Sequence, residues 1–397
     1  LLKAEKRRSE GKQFPSLQSP MYPKITQDID SMRLKSALPF VSGTVVFRGE
    51  QGNPFLAPRG VWLVGGKLIV SDTGQNRVFI WNELPRTEFQ APDVVLGQSE
   101  SADTGRNAGG EVSASTLQYP SGVWSDGKWL VVADAWNHRV LIWLAFPTKS
   151  GQAADVVLGQ PDFSSNQPNV VGISQAPSAR SLYWCYGVFS DGKRLWVADT
   201  GNRRVLVFNE IPTESYANAD AVIGQASFSE RDYDSANAVW PYSVKVSPTG
   251  TMAITDTQFY RVLLWNTWND ALSKPADVLL GQGSFQANGQ NQYEFFPKAN
   301  TLSWCYDTLF VSDGAAEKIM VADAGNSRVL LWNTLPIAHN TPADNVLGQE
   351  HFAVSSENKD SVASTENSLY WAFSLAQSGS TLAIADTGNH RIMLCEV

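Results

Sequence analysis

The sequence predicts an all-β fold, a six-bladed β-propeller built from four-stranded blades. Three observations carry this expectation. An eleven-residue phrase recurs six times, and a shorter phrase alternates with it. Both phrases are runs of Val, Ile, Leu and Trp bounded by Gly, Asp, Asn or Pro, the signature of short buried strands.

The first phrase reads SDTGQNRVFIW from Ser71, ADAWNHRVLIW from Ala133 and ADTGNRRVLVF from Ala198. It continues as TDTQFYRVLLW from Thr255, ADAGNSRVLLW from Ala322 and ADTGNHRIMLC from Ala385. Its aspartates Asp72, Asp134, Asp199, Asp256, Asp323 and Asp386 are separated by 62, 65, 57, 67 and 63 residues. An arginine follows each one five positions on: Arg77, Arg139, Arg204, Arg261, Arg328 and Arg391. The second phrase is VVLGQ at Val94 and Val156, AVIGQ at Ala221, VLLGQ at Val278 and NVLGQ at Asn345. A third segment, GVW at Gly60 and Gly122, GVF at Gly187 and SVKV at Ser243, precedes the aspartate phrase.

Each unit therefore reads as four strands. The GVW segment is innermost, then LIVSD or LWVAD, then RVLLW, and VVLGQ lies outermost. The DTGN tetrapeptide is the tight turn between strands two and three. Gly and Asn there suit positive φ, and Asp suits accepting backbone N–H groups of its own turn. The last unit ends at RIMLCEV with no outer strand, whereas TVVFRG at Thr44–Gly49 is an outer strand with no inner strands before it. Pairing of Thr44–Gly49 with His390–Val397 is expected to close the ring. The expected organisation is an extended N-terminal arm over 1–43 and one propeller over 44–397.

The unit GVFSDGKRLWVADTGNRRVLVF from Gly187 is one of six copies of a GVxxDGxLxVADTGNxRVLxW pattern. This pattern resembles the NHL-repeat family, over about residues 44–397. The resemblance implies a six-bladed propeller. Members of that family include protein-interaction modules, extracellular sensor domains and a lyase that finishes peptide amidation, and related six-bladed propellers include calcium-dependent lactonases. The fold does not choose among these functions.

Composition narrows the classes. The chain has 397 residues and a formal charge of 31 − 39 = −8, which argues against a general nucleic-acid binder. No run approaches the ~18 apolar residues of a membrane-spanning helix. The three cysteines, Cys185, Cys305 and Cys395, fit no disulfide framework or metal spacing and read as small buried hydrophobes. Cys185 and Cys305 fall where other units have Pro58, Pro120 or Pro241. The amidating lyase holds zinc with several histidines. Here there are only four, His138, His339, His351 and His390, and they are not placed to converge. No metal or cofactor is expected, calcium being the one left open because it needs only oxygen ligands. Asp307, which replaces the glycine of an inner strand, is the acid placed to face the channel. No GxSxG, phosphate loop or other catalytic set is found.

One Asp/Arg pair per unit at fixed spacing reads as structural, since a single active site has no use for six copies. The RVLLW aromatics, Trp81, Trp143, Phe208, Trp265 and Trp332, read as inter-blade core. The site candidates lie elsewhere. Five connections from an outer strand to the next inner strand are about 18–27 residues long, a length that is usually functional or disordered. They end in LQYPSG, LYWCYG, AVWPYS, LSWCYD and LYWAFS. One position across these holds Tyr119, Trp184, Trp240, Trp304 and Trp371. Two residues on are Ser121, Tyr186, Tyr242, Tyr306 and Phe373, with Ala57 and Arg59 at the two positions in the first unit. Flat apolar faces with polar edges suit a protein loop, a sugar ring or a peptide. The competing reading packs these rings between blades and beneath the loops.

The functional expectation is a non-catalytic binding or scaffold protein that uses this aromatic, long-loop face. The expected partner is a protein, with a peptide or glycan as alternatives, in an exported bacterial assembly of the periplasm or cell surface. The rival expectation is a calcium-type lactonase or lyase in the central channel.

Overall fold

The computed structural model describes residues 44–312 and 317–396; the arm expected over 1–43 lies outside them. Six four-stranded antiparallel sheets form a ring. The innermost strands are Gly60–Val64, Pro120–Ser125, Cys185–Ser190, Pro241–Val246, Cys305–Ser312 and Ala372–Ser378. The second strands end on the repeated aspartates, and the third begin on the repeated arginines. Outer strands are Val94–Leu96, Val156–Leu158, Ala221–Ile223, Val278–Leu280 and Asn345–Leu347 in blades one to five. The sixth blade takes its outer strand, Val45–Phe47, from the other end of the described chain. There Val45 pairs with Leu394, Val46 with Met393 and Phe47 with Ile392. Among the described residues there is no α-helix, and no helix is long and apolar enough to cross a membrane.

The core lies between blades rather than within one. Each apolar cluster joins two adjacent blades, so both faces of the second and third strands are buried. That is why these strands are continuous apolar runs and do not alternate. Trp81, Trp143, Phe208, Trp265 and Trp332 are all buried in these clusters. Four of them, Trp81, Trp143, Trp265 and Trp332, donate the indole N–H to a carbonyl nine residues on, at 3.0–3.1 Å. Phe47 packs edge-on against Trp81 with ring centroids 4.8 Å apart, so the sixth blade's outer strand also holds the first blade.

The six Asp/Arg pairs are fully buried at 2.6–3.0 Å. Their geometry corrects the expected turn chemistry. No aspartate caps a backbone N–H of its own turn. Instead one carboxylate oxygen accepts a backbone N–H from the segment just before the inner strand, as Asp199 does from Tyr183 at 2.7 Å. The arginine then fans out to the long loops on either side. Arg204 donates to the carbonyls of Phe228, Ser178 and Ser181. The turn itself is a single 3₁₀ turn whose left-handed residue comes after the TGN triplet. Those residues are Asn76, His138, Arg203, Tyr260, Ser327 and His390, at φ 50–54°. The glycine of the turn stands there for space and not for its φ. A Cβ on Gly201 would meet the Tyr183 carbonyl oxygen at 2.7 Å.

The long loops are pinned. Asn107, Asn169, Asn291 and Asn358 exchange amide hydrogen bonds with the turn asparagines Asn137, Asn202, Asn326 and Asn389. The glutamine closing each VVLGQ phrase donates to loop and turn carbonyls, as Gln160 does to those of His138 and Gln167.

Asp199→Ala leaves the Arg204 guanidinium buried without its carboxylate and frees the Tyr183 N–H. Removing one partner of a buried pair should cost about 3–5 kcal/mol, read as a lower denaturation midpoint, with similar losses at Asp72 and Asp323. An unchanged midpoint would show that the pair does not organise the loops. Phe47→Ala should likewise cost about 3–5 kcal/mol through the cavity it leaves between the first and sixth blades; a near-neutral change would show that the Val45–Phe47 strand adds little.

Candidate functional site

The mouth of the channel is built from the residues that lead into the inner strands. Ala57, Tyr119, Trp184, Trp304 and Trp371 all adopt left-handed backbone, φ 47–57°. This conformation is rare for bulky side chains, and at three of the five positions a neighbouring blade caps it. The Tyr119 N–H donates to Asn76 Oδ1 (3.0 Å), the Trp184 N–H to His138 Nδ1 (3.1 Å) and the Ala57 N–H to His390 Nδ1 (3.0 Å). At these three mouths the left-handed turn residue of one blade thus caps the mouth residue of the next, whereas Trp304 and Trp371 keep the same backbone after Tyr260 and Ser327. Blade four departs from this pattern. There the Trp240 N–H goes to Asp256 at 2.8 Å, and Trp240 stays out of the left-handed region.

The two aromatic layers differ. In the outer layer Trp304 and Trp371 are 44% and 45% exposed, while Tyr119, Trp184 and Trp240 are half-buried. Tyr119 stacks on Trp136 (4.4 Å, 11°) and Trp184 on Tyr183 (4.6 Å, 28°). The inner layer packs mainly on itself. Tyr186 stacks on Tyr242 (4.9 Å), Tyr242 meets Tyr306 edge-on (4.7 Å) and Tyr306 stacks on Phe373 (3.8 Å). Arg59 lies over Phe373 and Tyr119 at 4.3 and 5.1 Å from the ring centres. Ser121 Oγ is 3.4 Å from the Tyr242 hydroxyl. Tyr242 (6% exposed) and Phe373 (3%) fill the axis, and Ser121 is buried with them. Contact area for a large partner therefore falls to the outer layer.

A small cavity, open to solvent at the mouth, is lined by this inner layer and by the next residues of the inner strands. Lys245 and Asp307 face each other there, Nζ to Oδ1 at 3.3 Å. Asp307 Oδ2 also accepts the Ser374 hydroxyl and the Leu375 N–H, both at 3.0 Å, and Oδ1 accepts the Thr308 N–H at 2.9 Å. Asp307 faces the channel, as its place on the inner strand implied, but Lys245 was missed. A lysine set between the two valines of SVKV was the available signal.

Burial pushes the Tyr119 phenol up to about 12 and those of Tyr186 and Tyr306 further still, so all three stay protonated and can donate. Burial opposes the Arg59 charge, but the surrounding tyrosines outweigh it and raise its pKa. Among the described residues, no three His, Cys, Asp or Glu side chains converge as metal ligands. His339 accepts the Leu279 N–H at 3.1 Å, far from such a role. The cysteines are free and buried; Cys185 Sγ contacts the Arg139 carbonyl of the preceding blade.

No protein-family model and no curated protein matches the chain. Solved structures do. One is an auxiliary nutrient binding protein from Bacteroides thetaiotaomicron, 11% identical with a TM-score of 0.52, covering 88% of this chain and 75% of that one. Others are the Kuenenia stuttgartiensis hydrazine synthase (15% identity, TM-score 0.44, 86% and 77% covered) and a streptogramin B lyase (8%, 0.44, 88% and 96%). At such identities the likeness to the first is one of fold alone: the chain is a six-bladed β-propeller.

His138 offers a pH test of the mouth. Burial lowers its pKa from 6.5 to about 4, so it stays neutral and its Nδ1 accepts the Trp184 N–H. The unfolded chain binds the proton more readily, so the residue's contribution is complete above pH 6.5 and is lost as pH falls toward 4. The full effect is on the order of 3 kcal/mol. Asn76 does the same work with an amide, so His138→Asn should match the wild type at pH 8. Its advantage should grow as pH falls through this window, read by urea denaturation at several pH values. A difference that does not change with pH would show that His138 is not held neutral in the fold.

Proposed function

We propose that this propeller is a non-catalytic binding or scaffold protein of the NHL-repeat type, whose long-loop face receives a protein partner. A peptide or a glycan is the narrower alternative on the same surface. The setting that fits the proposal is an exported assembly of the bacterial periplasm or cell surface.

One observation carries the reading. Tyr119, Trp184, Trp304 and Trp371 hold half-exposed rings on left-handed backbone, and Ala57 adopts the same backbone without a ring. The turn therefore forms without an aromatic side chain, and the rings are surplus to folding. Strain concentrated at such positions is a pointer to function. The same set of loops exposes Tyr293, Phe295 (90%) and Phe296 between blades four and five, with Val171 and Ile173 between blades two and three. Aromatic rings dominate protein interfaces, and a surface already ordered costs less to bind. The asparagine pairs and the arginine fans supply that order. The rival calcium-type lactonase or lyase has less support, because Asp307 already has Lys245 and three protein donors on its two oxygens.

Trp304→Ala with Trp371→Ala tests the proposal. Binding of the wild type and the double variant is compared on peptide and glycan arrays, and against the partner cross-linked in the native source. The expected result is about 30-fold or more weaker binding, equivalent to about 2 kcal/mol, with an unchanged denaturation midpoint. Equal binding by both proteins overturns the assignment of the face. So does a stoichiometric calcium ion whose removal by EDTA abolishes a hydrolytic or lyase activity.

A further inference from the structure

We propose that the cavity behind the aromatic mouth is a carboxylate-binding subsite centred on Arg59. It rests on the reading of that face as a binding surface, and names the chemistry that reaches its axis.

The charges around the channel point to it. Each of the six turn aspartates is matched by its own arginine. Asp307 is matched by Lys245 and saturated by three further donors. Arg59 alone is left over: among the described residues it has no carboxylate within ion-pair distance, and its buried Nε has no hydrogen-bond partner. An unpaired cation in a low-dielectric site is costly. Here it is tolerated by the ring faces of Phe373 and Tyr119. Those contacts leave the site one positive charge in excess.

The walls suit an anion. Arg59, Ser121, Tyr186, Tyr242 and Tyr306 all line the cavity, so hydroxyl donors surround the guanidinium. The planar fork of arginine matches a carboxylate in a two-bond pairing. A single excess charge balances a monoanion and not a doubly charged phosphate. The enclosed space is small and opens at the mouth, so it takes a carboxylate against the guanidinium while the group that carries it stays at the mouth among the aromatic rings, and it does not take a folded segment. The free end of a peptide and the acid group of a sugar acid share this chemistry.

The test uses the full chain and benzoate as probe, with benzamide as its neutral match, at constant ionic strength in chloride. Benzoate should bind by calorimetry and raise the melting temperature, and benzamide should do neither. Arg59→Met should weaken benzoate binding at least 10-fold, and Arg59→Lys should fall between. If Arg59→Met fails to fold, the wild-type protein carries the test. Its Arg59 Nε–H resonance, assigned by its loss in Arg59→Lys, should move on titration with benzoate. Acetyl-Gly-Phe against its C-terminal amide, and glucuronate against glucose, then separate the peptide and sugar-acid sources.

Equal effects of benzoate and benzamide, reproduction of the benzoate effect by chloride alone, an unmoved Nε–H resonance, or wild-type binding by Arg59→Met overturns the subsite. Loss of partner binding in the Trp304/Trp371 double variant alongside such a result would leave the face standing and remove only the subsite. Benzoate binding with no effect of the double variant would do the reverse.

Discussion

The buried aspartate–arginine pair is the interaction on which the rest of this propeller depends. Around Asp199 and Arg204 it joins the Tyr183 N–H, the Asn202 side chain and the carbonyls of Ser178, Ser181 and Phe228. Three stretches of chain that share no strand are thereby tied to one buried point. The ion pair by itself does little more than offset its own burial: even beside Arg77, burial lifts the Asp72 carboxyl to about 6. Its value lies in satisfying backbone groups of long loops that would otherwise be buried without partners. Six copies are needed because there are six such junctions.

These junctions make the connections between blades rigid and pass order from one blade to the next. Asn76, His138 and His390 sit at the end of one blade's turn and accept the N–H of the next blade's mouth residue. At Ala57, Tyr119 and Trp184 the left-handed backbone is thus tied to ring assembly as well as to the local turn. Blade four is built differently. Arg203 stands at the turn position, Asp256 takes the Trp240 N–H directly, and the left-handed step is lost.

The channel combines two kinds of chemistry at different depths. At the mouth, half-exposed indoles present apolar area. Behind them, stacked phenols close the axis and surround a guanidinium, and deeper still the Lys245–Asp307 pair is internally neutral. The asymmetry comes from the innermost strands. Gly60, Gly122 and Gly187 bring three blades together backbone to backbone, whereas Ser243, Asp307 and Ser374 place polar side chains at the same level in the other three.

The sequence by itself determined the architecture. Period, strand order and the structural reading of the Asp/Arg pairs follow from patterns within each unit: continuous apolar runs, turn residues and a five-residue spacing. The RVLLW aromatics were legible as core for the same reason, because a residue repeated on a strand with two buried faces has nowhere else to go. The site was legible only in part. The aromatic positions stood out, but not that Tyr242 and Phe373 would pack into the axis while Trp304 and Trp371 stayed open. Nor did the sequence show that Asp199 bonds upstream instead of capping its own turn, or that Lys245 meets Asp307, 62 residues away on the next blade. These contacts arise where side chains from six blades converge on one axis. No segment of chain encodes that meeting, because each partner is supplied by a different unit and only closure of the ring brings them within reach.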